Sequence, residues 1–321
     1  MTLHLAVALA GDSFAAGDWI DQVRRADEAG LDLVTFDDTF GRRGPDAVQV
    51  AARVAPLTRH VGLVPVATTT HTEPFHLSTA LATLDWVSRG RAGWQVRVST
   101  DPAEAALLGR RGPLAADELI AEAGDVIEVV RRLWDSWEDD AIIKDVATGR
   151  YIDRAKLHYI DFEGPHFTVK GPSIVPRPPQ GRPVVAALAH GPRVWDSLDA
   201  DVFFVTPADA DDAARKVRAI APEKKVFADI TVGGHVPADA ATFDGTPAQL
   251  ADLIQNWWTV SGVDGFRLRV TDVADVTDVL VPELRRRGLF QPSEHTTLRE
   301  RLGLPVAVNR YAARSEEASV A

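Results

Sequence analysis

Short polar clusters follow the apolar runs of this chain. In order they are Gly11-Asp12-Ser13, Asp37-Asp38-Thr39, Thr68-Thr69-Thr70-His71-Thr72-Glu73, Ser99-Thr100-Asp101, His190-Gly191, Thr206, Gly233-Gly234-His235 and Thr271-Asp272. Rich in Thr, Ser and Gly and poor in charge, they suit the amide and carbonyl edge of a heteroaromatic ring, which neutral donors and acceptors satisfy. Solvated loops share that composition. The clusters do not suit a catalytic metal. Barrel hydrolases place two His two residues apart on the first strand, whereas His4 stands alone at the start of its run and no H-E-x-x-H occurs. The chain has no cysteine, which excludes thiolate-held zinc, iron–sulfur clusters and a disulfide scaffold. Redox chemistry here therefore requires a borrowed organic cofactor. His71 and His190 each follow a run and are candidates to line a site. His60 precedes its run, at the opposite end, and reads as structural. Asp38 either caps its loop or contacts a ligand. Arg97 lies inside an apolar run. Pointing inward, it needs an anion or carboxylate partner; pointing outward, it meets a helix.

The elements that must position these residues follow from periodicity. Apolar runs at 3–10, 31–36, 60–66, 92–98, 183–189, 201–205, 225–232 and 265–270 read as eight buried strands. Helical patterns follow them at 17–30, from Pro45 through Val54, from Pro74 through Val87, and at 114–137, 194–198, 207–220, 247–261 and 276–287. Asp18 is the expected N-cap of the first helix and Gly30 its C-cap. Residues 138–182 break the rhythm with several Gly and Pro and read as an insertion, on which Trp134 and Trp137 pack. Trp257 and Trp258 read as core or subunit contact, and the tail from Gly288 as polar and irregular. Strands alternating with helices imply a parallel sheet, and eight such units close into a barrel. An open doubly wound sheet would carry a Gly-rich turn after its first strand, and ALAGDSF has no G-x-G-x-x-G. The expectation is an α/β chain, a (β/α)8 TIM barrel as one domain over 1–321, with an insertion at 138–182 after the fourth βα unit and a tail at 288–321.

The chain has 321 residues, 45% of them hydrophobic, and 46 acidic against 35 basic side chains, a formal charge of −11. Such a chain is globular rather than disordered and is a poor binder of nucleic acid or anionic membrane. No stretch is long enough to span a bilayer and no basic targeting segment precedes the first apolar run, so a soluble cytoplasmic protein is expected.

Longer strings carry a family resemblance. LDWVSRGRAGWQVRVST (84–100) resembles the LDxxSxGRxGWNVVTS signature of bacterial-luciferase-like flavin-dependent monooxygenases. TTTHTEPFHLSTALATLDWVS (68–88), LWDSWEDDAIIKD (133–145), GPHFTVKGPSIVPRPPQGRPV (164–184) and RRRGLFQPSEHTTLRERLGLP (285–305) are similar to segments of the subgroup containing nitrilotriacetate and dibenzothiophene-sulfone monooxygenases. The resemblance implies a dimeric (β/α)8 barrel with reduced FMN at the strand C-termini. It implies O2 as co-substrate, a small organic substrate, and an NAD(P)H:flavin reductase that supplies the flavin. Relatives elsewhere in the superfamily use an 8-hydroxy-5-deazaflavin coenzyme for hydride transfer.

Carried over, Asp38, Thr69, Gln95 and Ser99 are the positions expected to face the isoalloxazine, with His71 the candidate proton donor or base. Gln95 stands where the family has Asn, and Arg97 where it has an apolar residue. The family's phosphate segment after strand five, AGxSxxG, is replaced by ALAHGPRVWDSLDAD (187–201), in which His190 and the N–H of Gly191 are the substitute candidates. The family's Arg-Tyr pair before the long helix gives way to Leu119-Ile120, with Arg110 and Arg111 nearby. Three functions follow: an FMNH2/O2 monooxygenase, a deazaflavin-dependent reductase or dehydrogenase, and a cofactor-free homologue with a binding role.

Overall fold

The computed structural model describes residues 3–233 and 241–312. Eight parallel strands, β1 (His4–Leu9), β2 (Leu33–Phe36), β3 (Gly62–Thr68), β4 (Gly93–Arg97), β5 (Val184–Ala189), β6 (Val202–Val205), β7 (Lys225–Val232) and β8 (Gly265–Val270), pair in the order β6-β5-β4-β3-β2-β1-β8-β7. Pairing of β6 with β7 closes the barrel. The fold is the expected (β/α)8 barrel. A short strand at Ala241–Phe243, which periodicity does not show, lies parallel to the end of β7.

Strand parity sorts the side chains. Leu5, Val7, Leu9, Val34, Phe36, Phe266 and Leu268 pack outward on the helices, while Ala6, Leu33, Val64, Ala186, Val202, Phe204 and Phe227 form an inner cluster in the lumen. Around the barrel run α1 (Ala16–Glu28), α2 (Ala47–Val54), α3 (Pro74–Ser88), α4 (Pro102–Leu108), α5 (Ala116–Asp135), α6 (Pro192–Ser197), α7 (Ala210–Ala219), α8 (Pro247–Ser261) and α9 (Val281–Arg286). The first expected N-cap is corrected. The N-cap position of α1 is Ala15, and Asp18 lies in the first turn, where its carboxylate accepts from Ser13 Oγ. Gly30 has the left-handed φ of 70° that stops the helix. The pattern read as one helix over 276–287 is a π-helix at Asp275–Leu280 followed by α9.

The insertion holds two small hairpins, 142–145 with 150–152 and 162–163 with 168–169. Trp137 Nε1 donates to the Ser173 carbonyl at 2.8 Å, while Trp134 Nε1 turns to Ser78 on α3 at 3.1 Å. Two residues of the string 84–100 that carried the resemblance, Asp85 and Arg91, hold the fold together. Fully buried Asp85 accepts from the backbone of Ala92 and from both the backbone and the side chain of Gln180. Burial nevertheless pushes its carboxyl up to about 6. Arg91 is buried with its guanidinium spread over four carbonyls and the Thr58 hydroxyl.

The tail is less irregular than its sequence suggests. Thr297 caps a four-residue helix, α10 (Leu298–Arg301), and Leu298, Leu302 and Leu304 plug the N-terminal end of the lumen beside Leu33 and Val184. The opposite end, where the polar clusters lie, is the mouth.

Candidate active site

The lumen face of three strands builds a polar layer beneath the mouth. In β8 the sequence GFRLRV alternates, so Arg267 and Arg269 share one face. Asp229 and Thr231 do the same on β7, and Gln95 and Arg97 on β4. Arg267, 1% exposed, clamps Asp229 through Nε at 2.8 Å and Nη2 at 2.6 Å, and its Nη1 donates to Gln95 Oε1 at 2.6 Å. Its guanidinium also lies 4.0 Å from the centre of the Phe204 ring. Arg269 Nε donates to the same carboxylate at 3.0 Å. Burial favours the neutral acid at Asp229, but the two guanidiniums outweigh it and hold the carboxyl below its ordinary value. A buried charge pair of this geometry seals the lumen under the site and fixes the Gln95 amide by its oxygen, leaving its N–H groups as donors.

A second network closes the rim. Arg97 points inward, and its partner is Glu104 on α4, a helix that periodicity does not show. Both Nη atoms meet the carboxylate at 3.0 Å, and Nη1 also reaches Thr68 Oγ1 at 3.2 Å. The Ser99 hydroxyl donates to Glu104, as does the Gly41 backbone N–H at 3.2 Å. Glu104 is 3% exposed. Burial alone would raise its carboxyl, but the bonds from Arg97 and Ser99 hold it down to about 2. Thr69 donates through N and Oγ1 to the Arg97 carbonyl, and Thr70 Oγ1 accepts from the Ser99 N–H.

His71 takes a left-handed φ of 68° at the end of the threonine run, and its Nδ1 is buried without a hydrogen-bond partner. Desolvation, then Arg111, lowers its pKa, which favours the neutral imidazole. Arg110 donates to the His71 carbonyl at 3.1 Å, and Arg111 pairs with Glu122. Asp38 accepts from the Ala47 N–H at 2.8 Å, in the first turn of α2, and burial raises its pKa. Its free side faces a cavity of about 510 Å3 lined also by Phe40, Arg42, Gln49, Thr68 and His76.

The residues singled out from sequence therefore divide. Gln95 joins the lumen network, while Ser99 and Thr69 join the rim network. Asp38 and His71 stand at the ends of β2 and β3. His190 is exposed at the end of β5, and Gly191 is the N-cap of α6 with extended φ and ψ of −172° and 178°. That helix has six residues and Pro192 in its first turn, where an N–H would otherwise point at an anion, and its Arg193 pairs with Asp117 at 2.7 Å. Sequence reading missed Arg267, Arg269, Asp229, Thr231 and Glu104. Strand parity in GFRLRV and FADITV carried the signal for the first four. Gly234 and His235, at the end of strand seven, lie outside the described residues. Among the described residues no three His, Asp or Glu side chains come together as a metal site, and no helix is long and apolar enough to cross a membrane.

A family model described as luciferase-like monooxygenase matches residues 2–264. The chain belongs to that family. It is 35% identical over 306 residues to one of the pristinamycin IIA synthase chains of Streptomyces pristinaespiralis, covering 94% of each chain. It is 30% identical over 358 residues to a nitrilotriacetate monooxygenase component of Aminobacter aminovorans, covering 81% of this chain and 79% of the relative. Among solved structures, a riboflavin lyase with modified FMN and riboflavin superposes with a TM-score of 0.86 at 22% identity, covering 97% and 98% of the two chains, a likeness of fold. The resemblance read from the strings is thereby established, and this luciferase-like protein is an enzyme of the monooxygenase class.

The donor set fits the ring end of a flavin. The mouth offers the Gln95 amide, the hydroxyl protons of Thr68 and Thr70, and the His71 Nδ1, unpartnered among the described residues, above a sealed lumen. The phosphate end is where this protein departs from the family motif: ALAHGPRVWDSLDAD replaces AGxSxxG, and α6 is a six-residue helix that begins with Pro192.

Proposed function

We propose that this protein is a reduced-flavin-dependent monooxygenase acting on a small organic substrate, with FMN delivered by a separate NAD(P)H:flavin reductase and O2 as co-substrate. The observation that carries the reading is the Gln95 amide, held by Arg267 under the mouth with its N–H groups left as donors. Bound reduced flavin supplies two electrons to O2, so that one oxygen atom enters the substrate and the other leaves as water. Gln95 and the hydroxyls of Thr68 and Thr70 would hold the polar edge of the ring. The Arg267–Asp229 pair excludes water from below, which protects a reactive centre from hydrolytic side reactions. His71, neutral and with a buried ring nitrogen unpartnered, gives or takes a proton at Nδ1.

The test is a fluorescence titration of the purified chain with FMN and, side by side, with the deazaflavin coenzyme, followed by O2 uptake with a flavin reductase and NADH. FMN is expected to bind and the deazaflavin not to. Gln95→Ala is expected to weaken FMN about tenfold, the equivalent of about 1.4 kcal/mol, with its melting temperature recorded because Arg267 loses an acceptor. Preference for the deazaflavin moves the protein to hydride transfer. Binding of neither makes it a cofactor-free member of the family.

A further inference from the structure

Arg269 is the lumen-facing cation on the mouth side of Arg267, two residues along β8. Its Nε is spent on Asp229, but among the described residues neither of its Nη groups makes a hydrogen bond, and Asp229 is the carboxylate within 4 Å of it. Asp229 brings one negative charge against the two guanidiniums of Arg267 and Arg269, so the cluster keeps a net positive charge. Among the described residues no other carboxylate at this end pairs with Arg269 within 4 Å. Glu104 is held by Arg97, Ser99 and Gly41, and Asp38 by Ala47. Asp37, whose field reaches Arg267, makes no ion pair within 4 Å among the described residues. The Arg269 side chain is 25% exposed, enough to be met from the mouth but too recessed to be an ordinary surface cation.

A second, independent observation points to the same place. Thr231 is the direct neighbour of Arg269 in the β7–β8 register, only 6% exposed, and its Oγ1 has no hydrogen-bond partner among the described residues. A buried hydroxyl left unpaired costs stability unless something completes it. Beside that hydroxyl, which can donate its one proton, lie two Nη groups that make no hydrogen bond among the described residues, so the corner is rich in donors and carries positive charge. This donor pattern matches a planar carboxylate, taken bidentately by the guanidinium and finished by the hydroxyl.

We propose that Arg269 and Thr231 form the receptor for an anionic oxygen group, a carboxylate, on the substrate of this enzyme. The proposal rests on the monooxygenase reading for the word substrate, though the site itself does not need the flavin. An acidic substrate then enters an acidic protein because the barrel mouth presents a local cation.

The test uses the full chain and a panel of butyrate, benzoate and succinate, each matched by its neutral amide, measured by calorimetric titration and thermal shift. FMN is titrated on the same preparations. At least one carboxylate is expected to bind at least tenfold more tightly than its amide. Arg269→Gln should remove that preference, Arg269→Lys should keep part of it, and Thr231→Val should weaken carboxylate binding threefold or more, all with FMN affinity changed less than threefold. Arg267 still pairs Asp229 in these variants, and circular dichroism confirms the fold. The proposal is overturned if no carboxylate outperforms its amide, if Arg269→Gln leaves the preference intact, or if that variant loses FMN in place of the carboxylate, which would assign the guanidinium to the cofactor. A chain that binds carboxylates through Arg269 and binds no flavin keeps this site and loses the monooxygenase reading.

Discussion

A buried carboxylate carrying several donors makes stability depend on pH, and Glu104 is such a group. Its pKa is held down to about 2 against an ordinary 4.5 by the bonds from Arg97 and Ser99, which overcome the opposing effect of burial. A depressed carboxyl stabilises the folded state fully above its unfolded value, and that stabilisation is lost as pH falls from about 4.5 toward about 2. Glu104→Gln is expected to cost about 2 kcal/mol at pH 7, a figure reduced from that of a fully buried pair because Arg97 is partly exposed. In urea unfolding at a series of pH values, the gap between wild type and variant should close below pH 4.5; a gap unchanged down to pH 3 would refute the assignment. From sequence, Arg97 was legible as a charge in want of a partner, but its partner was not. Glu104 lies seven residues on, in a helix of seven residues whose existence depends on the Asp101 cap and Pro102 rather than on an apolar stripe. Only tertiary closure of the mouth brings the two together.

At the scale of elements, the barrel was legible because its strands are continuous apolar runs and its helices carry a 3.6-residue stripe. The candidate site was legible only at its strand ends. Reading where each strand stops singled out Asp38, Thr69, Ser99 and His71 as candidates but passed over the alternation within β7 and β8, where Asp229, Thr231, Arg267 and Arg269 share the lumen face. The β5–α6 junction carries its own expectation. A phosphate is bound at a helix start by free N–H groups and the helix dipole, and α6 provides only six residues with a proline in the first turn. Flavin binding should therefore come from the ring. FMN and riboflavin are expected to bind with dissociation constants within about threefold of each other, a difference of less than about 1 kcal/mol. Fluorescence titrations at matched ionic strength check this, and FMN binding thirtyfold tighter than riboflavin would show a phosphate cradle elsewhere on the rim.

For the whole molecule, the decisive packing is at the end remote from the chemistry, which in a barrel of this type serves stability rather than turnover. The last leucines of the tail were unreadable as a structural element, since a four-residue helix has no periodicity to detect and its neighbours in sequence are mostly charged. What makes them a plug is that Gly62 leaves room. A Cβ at Gly62 would lie 2.6 Å from Leu298 Cδ1 and 3.0 Å from the Asp32 carbonyl oxygen. Gly62→Ala alone overpacks this contact and is expected to cost about 2 kcal/mol. Leu298→Ala alone empties a site that is 0% exposed and is expected to cost about 3 kcal/mol. The two changes are complementary in volume, because the new methyl group enters the space that the leucine vacates, while the close approach to the Asp32 carbonyl oxygen remains. The double variant should therefore lose about 1 kcal/mol less than the sum of the singles, a coupling measurable in a double-mutant cycle by denaturant unfolding. Additive losses would mean that the tail and the lumen do not share this contact. A loss confined to one unfolding phase in a multiphasic transition would mean that the tail is not part of the same cooperative unit as the barrel. A coupled, single-phase loss ties residue 298 to the folding of a barrel whose mouth lies at its opposite end.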